Sequence, residues 1–416
     1  MTDWNARIDS LLGKVRKQVG GAARAIGSAL HNDPFELLAY RGYGNATRAH
    51  VHGRAVEVRN VGTSTDSDSL LRNLLNTYRR ADSDPLPFAS VTVKYANVTT
   101  TMKADDEGFF SGWIELEQPV SGDGEWNEYK VRIESAVHSD VHTGVATGEI
   151  LVPPPSARFG VISDIDDTMI QSRVSNFLQA ARTVMLGNAR TRLPFPGVAA
   201  FYRALRNGGG GDEKNPIYYV SSSPWNIYDV IAEFMDIQKI PRGPLLLRDW
   251  DIGWGLMASS RHLDHKAAVI RNIVQLYPTM EFILIGDTSQ HDPEIYRQIV
   301  AEFPKRVKAI YIRDVTWNAD RSVAVRKLAE EILAAGSTLI LAENTLAAAR
   351  HAAEQGWISS DALPDIGEEK RADEGRDSSK VPAPDGGEPG SESRLSLSVI
   401  IVRLDSESPP TIASTK

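Results

Sequence analysis

The residues best suited to chemistry lie in one stretch, Arg158-Phe159-Gly160-Val161-Ile162-Ser163-Asp164-Ile165-Asp166-Asp167-Thr168. Its apolar run, Phe159 to Ile162, has the signature of a buried strand that ends abruptly in polar residues. Asp164, Asp166 and Asp167 then place three carboxylates within four positions. Like charges this close are costly unless neutralised, and a hard divalent cation is the usual neutraliser. The carboxyl end of a strand is also where an open α/β sheet holds its ligand. A Mg²⁺ or Ca²⁺ loop and a solvated acidic turn share this local pattern, so the rest of the chain must discriminate.

Three later segments carry complementary groups. Ile217-Tyr218-Tyr219-Val220-Ser221 is an apolar strand that ends in a hydroxyl, and Ser222, Ser223, Pro224 and Trp225 follow as a polar turn before a helix. Hydroxyls and backbone N–H groups in such a turn suit an anion. Lys266 opens a predicted helix over Lys266–Leu276. Phe282-Ile283-Leu284-Ile285 runs into Gly286-Asp287, with a second acid, Asp292, five residues beyond the first. Taken singly, a Ser after a strand or a Lys on a helix is an ordinary surface residue.

In this order the four segments resemble the motifs of the haloacid dehalogenase phosphatase superfamily. The resemblance implies Asp164 as the nucleophile that takes the phosphoryl group and Asp166 as general acid and base. It implies phosphate binding by Ser221, Ser222 and Lys266, and Mg²⁺ held by Asp164, the Asp166 carbonyl and Asp287. Thr168 would shape the loop, and Asp292 would orient a water or Lys266. A narrower resemblance is to the phosphatidate phosphatases first described as actin-patch proteins in yeast. It is carried by Ser163-Asp164-Ile165-Asp166-Asp167-Thr168, Pro196-Gly197, Ser221-Ser222-Ser223-Pro224-Trp225, Leu247-Arg248-Asp249, His265-Lys266, Gly286-Asp287 with Asp292, and Ile310-Tyr311-Ile312-Arg313. These span about residues 158–315. The implied reaction is Mg²⁺-dependent removal of phosphate from phosphatidate, giving diacylglycerol, through an aspartyl phosphate. Arg313 would contact the lipid phosphate or pair with a carboxylate such as Asp314.

The elements that must position these residues follow from the alternation of strand and helix between residues 156 and 358. Strands are expected at Phe159–Ser163, Ile217–Ser221, Leu245–Arg248, Phe282–Gly286, Ala309–Arg313 and Leu339–Ala342. Helices are expected at Val198–Asn207, Tyr228–Met235, Lys266–Leu276, Pro293–Glu302, Val323–Ala335 and Thr345–Glu354. Such alternation implies βαβ units and a parallel sheet, here a Rossmann-like haloacid dehalogenase-type domain by the resemblance. Residues 35–152 alternate with period two and are broken by turns such as Asp105-Asp106-Glu107-Gly108, which predicts a β-sandwich-like domain with one helix at Ser67–Arg80. Pro153-Pro154-Pro155 is a stiff linker between the two. In residues 1–34, Trp4, Ile8, Leu11, Leu12, Val15 and Val19 recur at helical spacing among basic residues. This amphipathic segment packs on the next domain or lies on an anionic membrane. From 359 to 416 the composition of Gly, Pro, Ser and acid predicts a disordered acidic tail, interrupted by the apolar Val399-Ile400-Ile401-Val402, a short strand or a docking peptide.

Bulk composition excludes several classes. The chain has 416 residues and no cysteine, which removes disulfides, thiolate metal sites and cysteine-dependent phosphatase chemistry. The net charge is −8, most of it in residues 361–392, where ten acids face four bases. No basic patch of the kind that binds nucleic acid stands out. No run of 18 apolar residues is present, so no transmembrane helix is expected. The expected location is cytoplasmic, with peripheral membrane association. Between Thr168 and Ile217 there is little chain for a separate cap, and an open site suits a substrate presented at a surface, such as a phospholipid in a membrane. Trp225, Trp250, Trp254 and Trp317 either insert at that interface or pack in the core. The alternatives are a phosphatase of the same fold acting on another phosphomonoester, and a non-catalytic adaptor.

Overall fold

The computed structural model describes residues 35–57, 84–120, 124–135, 144–169, 195–248, 258–315, 319–378 and 399–401. The amphipathic segment 1–34, the helix expected at Ser67–Arg80 and residues 170–194 lie outside them, as do Trp250, Trp254 and Trp317. The chain divides into two units, one holding residues up to Val152 and the other Pro153–Gln171 with Arg192 onward.

The first unit is a nine-stranded, largely antiparallel sheet. Its strands are β1 (Phe35–Ala39), β2 (Gly42–Gly44), β3 (Arg48–Glu57), β4 (Asp84–Pro85), β5 (Ser90–Tyr95), β6 (Val98–Lys103), β7 (Phe109–Glu115), β8 (Trp126–Ser135) and β9 (Val145–Leu151). The order is β1-β3-β2-β9-β8-β5-β6, with β4 and β7 also on β3. Period-two patterning does the folding: in β5, Val91, Val93 and Tyr95 are buried while Lys94 faces water. They share one core with Val51, Phe110 and Ile114 of β3 and β7. The predicted turn at 105–108 forms because the Asp105 carboxylate accepts the N–H groups of Glu107 and Phe109 at 2.9 and 2.8 Å, and Gly108 takes φ 78°.

The second unit is built on a seven-stranded sheet ordered β12-β11-β10-β13-β14-β15-β16. The strands are β10 (Gly160–Asp164), β11 (Ile217–Pro224), β12 (Leu245–Arg248), β13 (Phe282–Asp287), β14 (Val307–Arg313), β15 (Leu339–Ala342) and β16 (Val399–Ile401). β10 to β15 are all parallel, and β16 adds antiparallel to β15. The helices are α1 (Val198–Asn207), α2 (Tyr228–Ile237), α3 (Ala258–Leu276), α4 (Asp292–Glu302), α5 (Ala319–Ala334), α6 (Thr345–Glu354) and α7 (Leu363–Ser378). β10, β11 and β13 open with apolar runs and are buried over their first five residues, as strands covered on both faces must be. Chain order reverses between β10 and β13, which opens a crevice at their carboxyl ends. The start of β10 is pinned by Asn215, whose side-chain oxygen accepts the N–H groups of Arg158 and Phe159.

Two expectations are corrected here, and one open alternative is decided. The acidic tail is not disordered from residue 359: a short helical turn at Ser360–Ala362 leads into α7. The sequence is polar enough to suggest disorder, but its acids have fixed partners. Asp373 accepts the N–H of Gly197 at 3.0 Å, and Glu369 accepts the N–H of Ala200 at 2.8 Å and pairs with Arg203 at 2.6 Å. α1 has no acid in its first turn and no side-chain cap of its own, so α7 supplies what its N-terminal N–H groups lack. Second, α3 begins at Ala258, so Lys266 sits in mid-helix rather than at its start. Third, Trp225 is buried and stacks on Tyr228, which places it in the packing of this unit.

Candidate active site

Four parallel strands deliver their last residues to the same end of the sheet. Asp164 ends β10, Ser221 and Ser223 lie in the last turn of β11, Asp287 ends β13 and Arg313 ends β14. Register aligns them: Asp164 lies opposite Val220, and Asp287 opposite Arg313. Gly286 is required by what lies over it, since a Cβ there would fall 2.4 Å from an Asp292 carboxylate oxygen.

Lys266 of α3 joins the acids. Its Nζ donates to Asp164 Oδ1 at 2.8 Å and makes a second, very short bond to Asp292 Oδ1. All three side chains are buried. Burial alone would lower the Lys266 ammonium, but the Asp164 and Asp292 carboxylates outweigh it and hold it above its usual range. Asp164 is pushed up by burial, an effect Lys266 opposes and the neighbouring acids reinforce. Asp287 is pushed up to about 6 by burial and by Asp292. Asp292 Oδ2 accepts the Asp287 N–H at 3.3 Å, so it braces both the lysine and the end of β13.

Asp166 lies apart from this cluster. Its Oδ2 accepts the hydroxyls of Ser221 at 2.7 Å and Ser223 at 3.1 Å, and the Ser223 N–H donates back to Ser221 Oγ. Burial raises its carboxyl above the normal range, against those two hydroxyls. Asp167 takes φ 56°, a left-handed turn that Asp tolerates. Just beyond it, Thr168 donates to Asp287 Oδ2 at 3.1 Å.

The residues named from sequence thus fall into three groups: Asp164, Lys266, Asp287 and Asp292 with Thr168; Asp166 with Ser221; and Arg313 on its own. Ser222 is half-buried between Ser221 and Ser223. Arg313 does not pair with Asp314, which instead accepts from Thr288. Its Nη2 donates to Thr345 at 2.8 Å and its guanidinium lies 4.0 Å from the centre of the Phe195 ring.

Other residues join the site without a motif to announce them. Ser289 gives its N–H and hydroxyl to Asp287 Oδ1, a local turn that an Asp followed two residues later by Ser could have signalled. Tyr202 of α1 hydrogen-bonds Ser163, whose hydroxyl donates to the Asp164 carbonyl at 2.7 Å, and only the tertiary fold brings it there.

Oxygens of Asp164, Asp287 and Asp292 lie within 4.8 Å of one another. One ammonium cannot balance three buried carboxylates, and Asp164 Oδ2 is buried without a hydrogen-bond partner. An all-oxygen, net-negative pocket with a free carboxylate oxygen fits a hard divalent cation. The third carboxylate of this trio is Asp292, whereas the Asp166 side chain is turned to the serines.

Part of the chain resembles known proteins. Residues 159–314 match the family model of the phosphatidate phosphatase APP1 catalytic domain. The phosphatidate phosphatase APP1 of Saccharomyces cerevisiae is 30% identical over 155 residues, which cover 37% of this chain and 25% of that protein. An uncharacterized protein of Schizosaccharomyces pombe is 27% identical over 171 residues, with the same coverage of each chain. The chain therefore spans about a quarter of the length of these curated relatives. A carbohydrate acetylesterase structure from Xanthomonas citri covers 70% of this chain and 71% of its own at 12% identity and a TM-score of 0.21, too slight a likeness to bear on the fold. Over residues 159–314, then, the chain is similar to the catalytic domain of the actin-patch-type phosphatidate phosphatases.

Proposed function

We propose that this protein is a Mg²⁺-dependent phosphatidate phosphatase that releases phosphate and diacylglycerol through an aspartyl phosphate. The observation that carries the reading is Asp164: one oxygen is fixed by Lys266 and the other is buried, unpartnered and at the mouth of the strand crevice. In this reading residues 156–358 form a Rossmann-like haloacid dehalogenase-type domain, with the strand order given above, and residues 35–152 form a β-sandwich-like domain. Residues 1–34 and the open crevice bring the enzyme to a membrane surface as a peripheral protein.

Asp164 Oδ2 attacks phosphorus in line and displaces the glycerol oxygen. Asp166, held by Ser221 and Ser223, has the raised carboxyl suited to giving that oxygen a proton and then taking one from the water that cleaves the aspartyl phosphate. Lys266 keeps its charge at neutral pH and faces the transferring group beside Asp164, while Ser221 and Ser222 offer hydroxyls to its oxygens. Asp164 and Asp287 would hold the cation, with Thr168, Ser289 and Asp292 fixing their carboxylates; the bound ion would offset phosphate charge against the attacking carboxylate.

The test is phosphate release from phosphatidate in mixed micelles, with Mg²⁺ or EDTA, beside soluble phosphomonoesters. The expected result is Mg²⁺-dependent release from phosphatidate that Asp164→Asn lowers by about 10³-fold or more. Release from soluble esters alone would retain the chemistry and discard the lipid. No release from any ester would favour an adaptor.

A further inference from the structure

Beside the carboxylate cluster lies a small cavity that the reaction above leaves unused. It is walled by α1, the ends of β13 to β15 and α6, including Val198, Phe201, Tyr311, Ile312 and Ala348. Thr168 and Gly286 form the wall it shares with the acids. Its volume is about 20 Å³, room for one water-sized group and no more. Arg313 lines it and brings a positive charge.

Arg313 differs from several arginines of this unit. Its guanidinium is tethered at one edge by Thr345 and on one face by Phe195; among the described residues no carboxylate forms an ion pair with it, and Asp287, opposite it in the register, attracts it at longer range. Arg203, Arg271 and Arg321, by contrast, each grip a glutamate. Burial pulls Arg313 down to about 10, so it is still cationic at neutral pH. A half-buried guanidinium with donors left over, fixed by Thr345 and Phe195, is built to receive an oxygen.

Position decides which oxygen. Arg313 is two strands from Asp164, about 10 Å in an ideal sheet. Its tether to Thr345, the first residue of α6 after β15, draws it away from β10 rather than toward it. The oxygens of a phosphorus poised at Asp164 are therefore served by Lys266 and the serines. An oxygen several bonds away, on the alcohol side of the ester, falls to Arg313. The apolar walls suit a carbonyl set in a hydrocarbon body better than a hydrated anion.

We propose that Arg313 and this cavity form a leaving-group subsite that receives one acyl-ester carbonyl oxygen of a glycerol phosphate lipid. This rests on the phosphatidate reading above and deepens it. The subsite selects for an ester on the alcohol, while the acyl chains lie outside a cavity of this size.

The experiment compares two lipids in identical mixed micelles with the full-length protein and Mg²⁺: diacylglycerol phosphate and its dialkyl ether analogue, which has the same chains and phosphate but no carbonyl. Wild-type protein should turn over the ester with kcat/KM at least 10-fold above the ether, the size of a hydrogen bond from a charged donor. Arg313→Met should collapse that ratio toward one, and Thr345→Val, which only loosens the tether, should lower it partway. Far-UV circular dichroism and thermal melts establish that both variants fold; if Arg313→Met does not, Thr345→Val carries the comparison alone. An ester-to-ether ratio near one in wild-type protein, or a variant that loses activity on both lipids equally, overturns the subsite and leaves the phosphatase reading standing. Failure to release phosphate from either lipid overturns both.

Discussion

Replacing Lys266 with methionine tests the electrostatic core of the site. The side chains are similar in length, so the change removes charge and donors and little volume. At 2.8 Å the Lys266–Asp164 attraction is about 6 kcal/mol for an effective dielectric constant of about 20, and Asp292 adds a second, shorter contact. Most of that gain offsets the cost of burying the three ions, so the net loss on removing one partner is about 3–5 kcal/mol. Urea unfolding in EDTA at pH 7.5 should show a midpoint drop of that size. The drop should shrink at pH 5. Asp164, held up by burial and now without the ammonium that opposed it, would have a folded-state pKa further above its unfolded one, so the folded state takes up a proton as pH falls and regains stability. Saturating Mg²⁺ should also restore part of the loss, because a cation that binds only the folded protein stabilises it by mass action. A loss under about 1 kcal/mol, equal at both pH values, would refute the argument, since Asp164 and Asp292 would then not be buried charges that depend on Lys266.

Two further outcomes follow from the same geometry. In cation-free wild-type protein Asp287, raised to about 6 by burial and by Asp292, should cost stability as pH rises from about 4 through 6; the shift is worth about 3 kcal/mol, and Asp287→Asn should flatten that stretch of a pH–stability curve measured in EDTA. Gly286→Ala puts a methyl group 2.4 Å from an Asp292 oxygen that cannot swing away, because Lys266 and the Asp287 N–H hold it, so thermal melts should register a loss of about 1–3 kcal/mol and phosphate release should fall with it.

Much of the second unit was legible in the chain because its signals are local. Leu245–Arg248 and Leu339–Ala342 are apolar runs bounded by polar residues and match β12 and β15 to the residue. Thr345–Glu354 follows Asn344, which caps it by accepting the Ala347 N–H. Signals that depend on distant partners were not legible. Phe35–Ala39 contains helix-forming Glu and Leu and is a strand only because β3 pairs with it. The start of α3 was missed because Ser259, Ser260 and His262 are weak helix formers. At the site, the four acids and Lys266 stand out by spacing, whereas Ser223 and Tyr202 are defined by what they touch across 57 and 39 residues. α7 shows the same limit: its acids read as solvent-loving until the bare N-terminus of α1 is set against them.

That last pairing bears on how the protein is made. The Gly197 N–H and the Asp373 carboxylate that accepts it are 176 residues apart in the chain. A ribosome adding roughly 5–20 residues per second needs roughly 10–35 seconds to cover that distance. Throughout that interval α1, which carries Tyr202 to the strand before Asp164, is present without its cap. The family match closes at residue 314, so β15, α6 and α7 emerge after the last residue that the match covers. Nascent chains halted at that boundary would hold every side chain given a role in the proposed reaction and still lack the helix that secures α1.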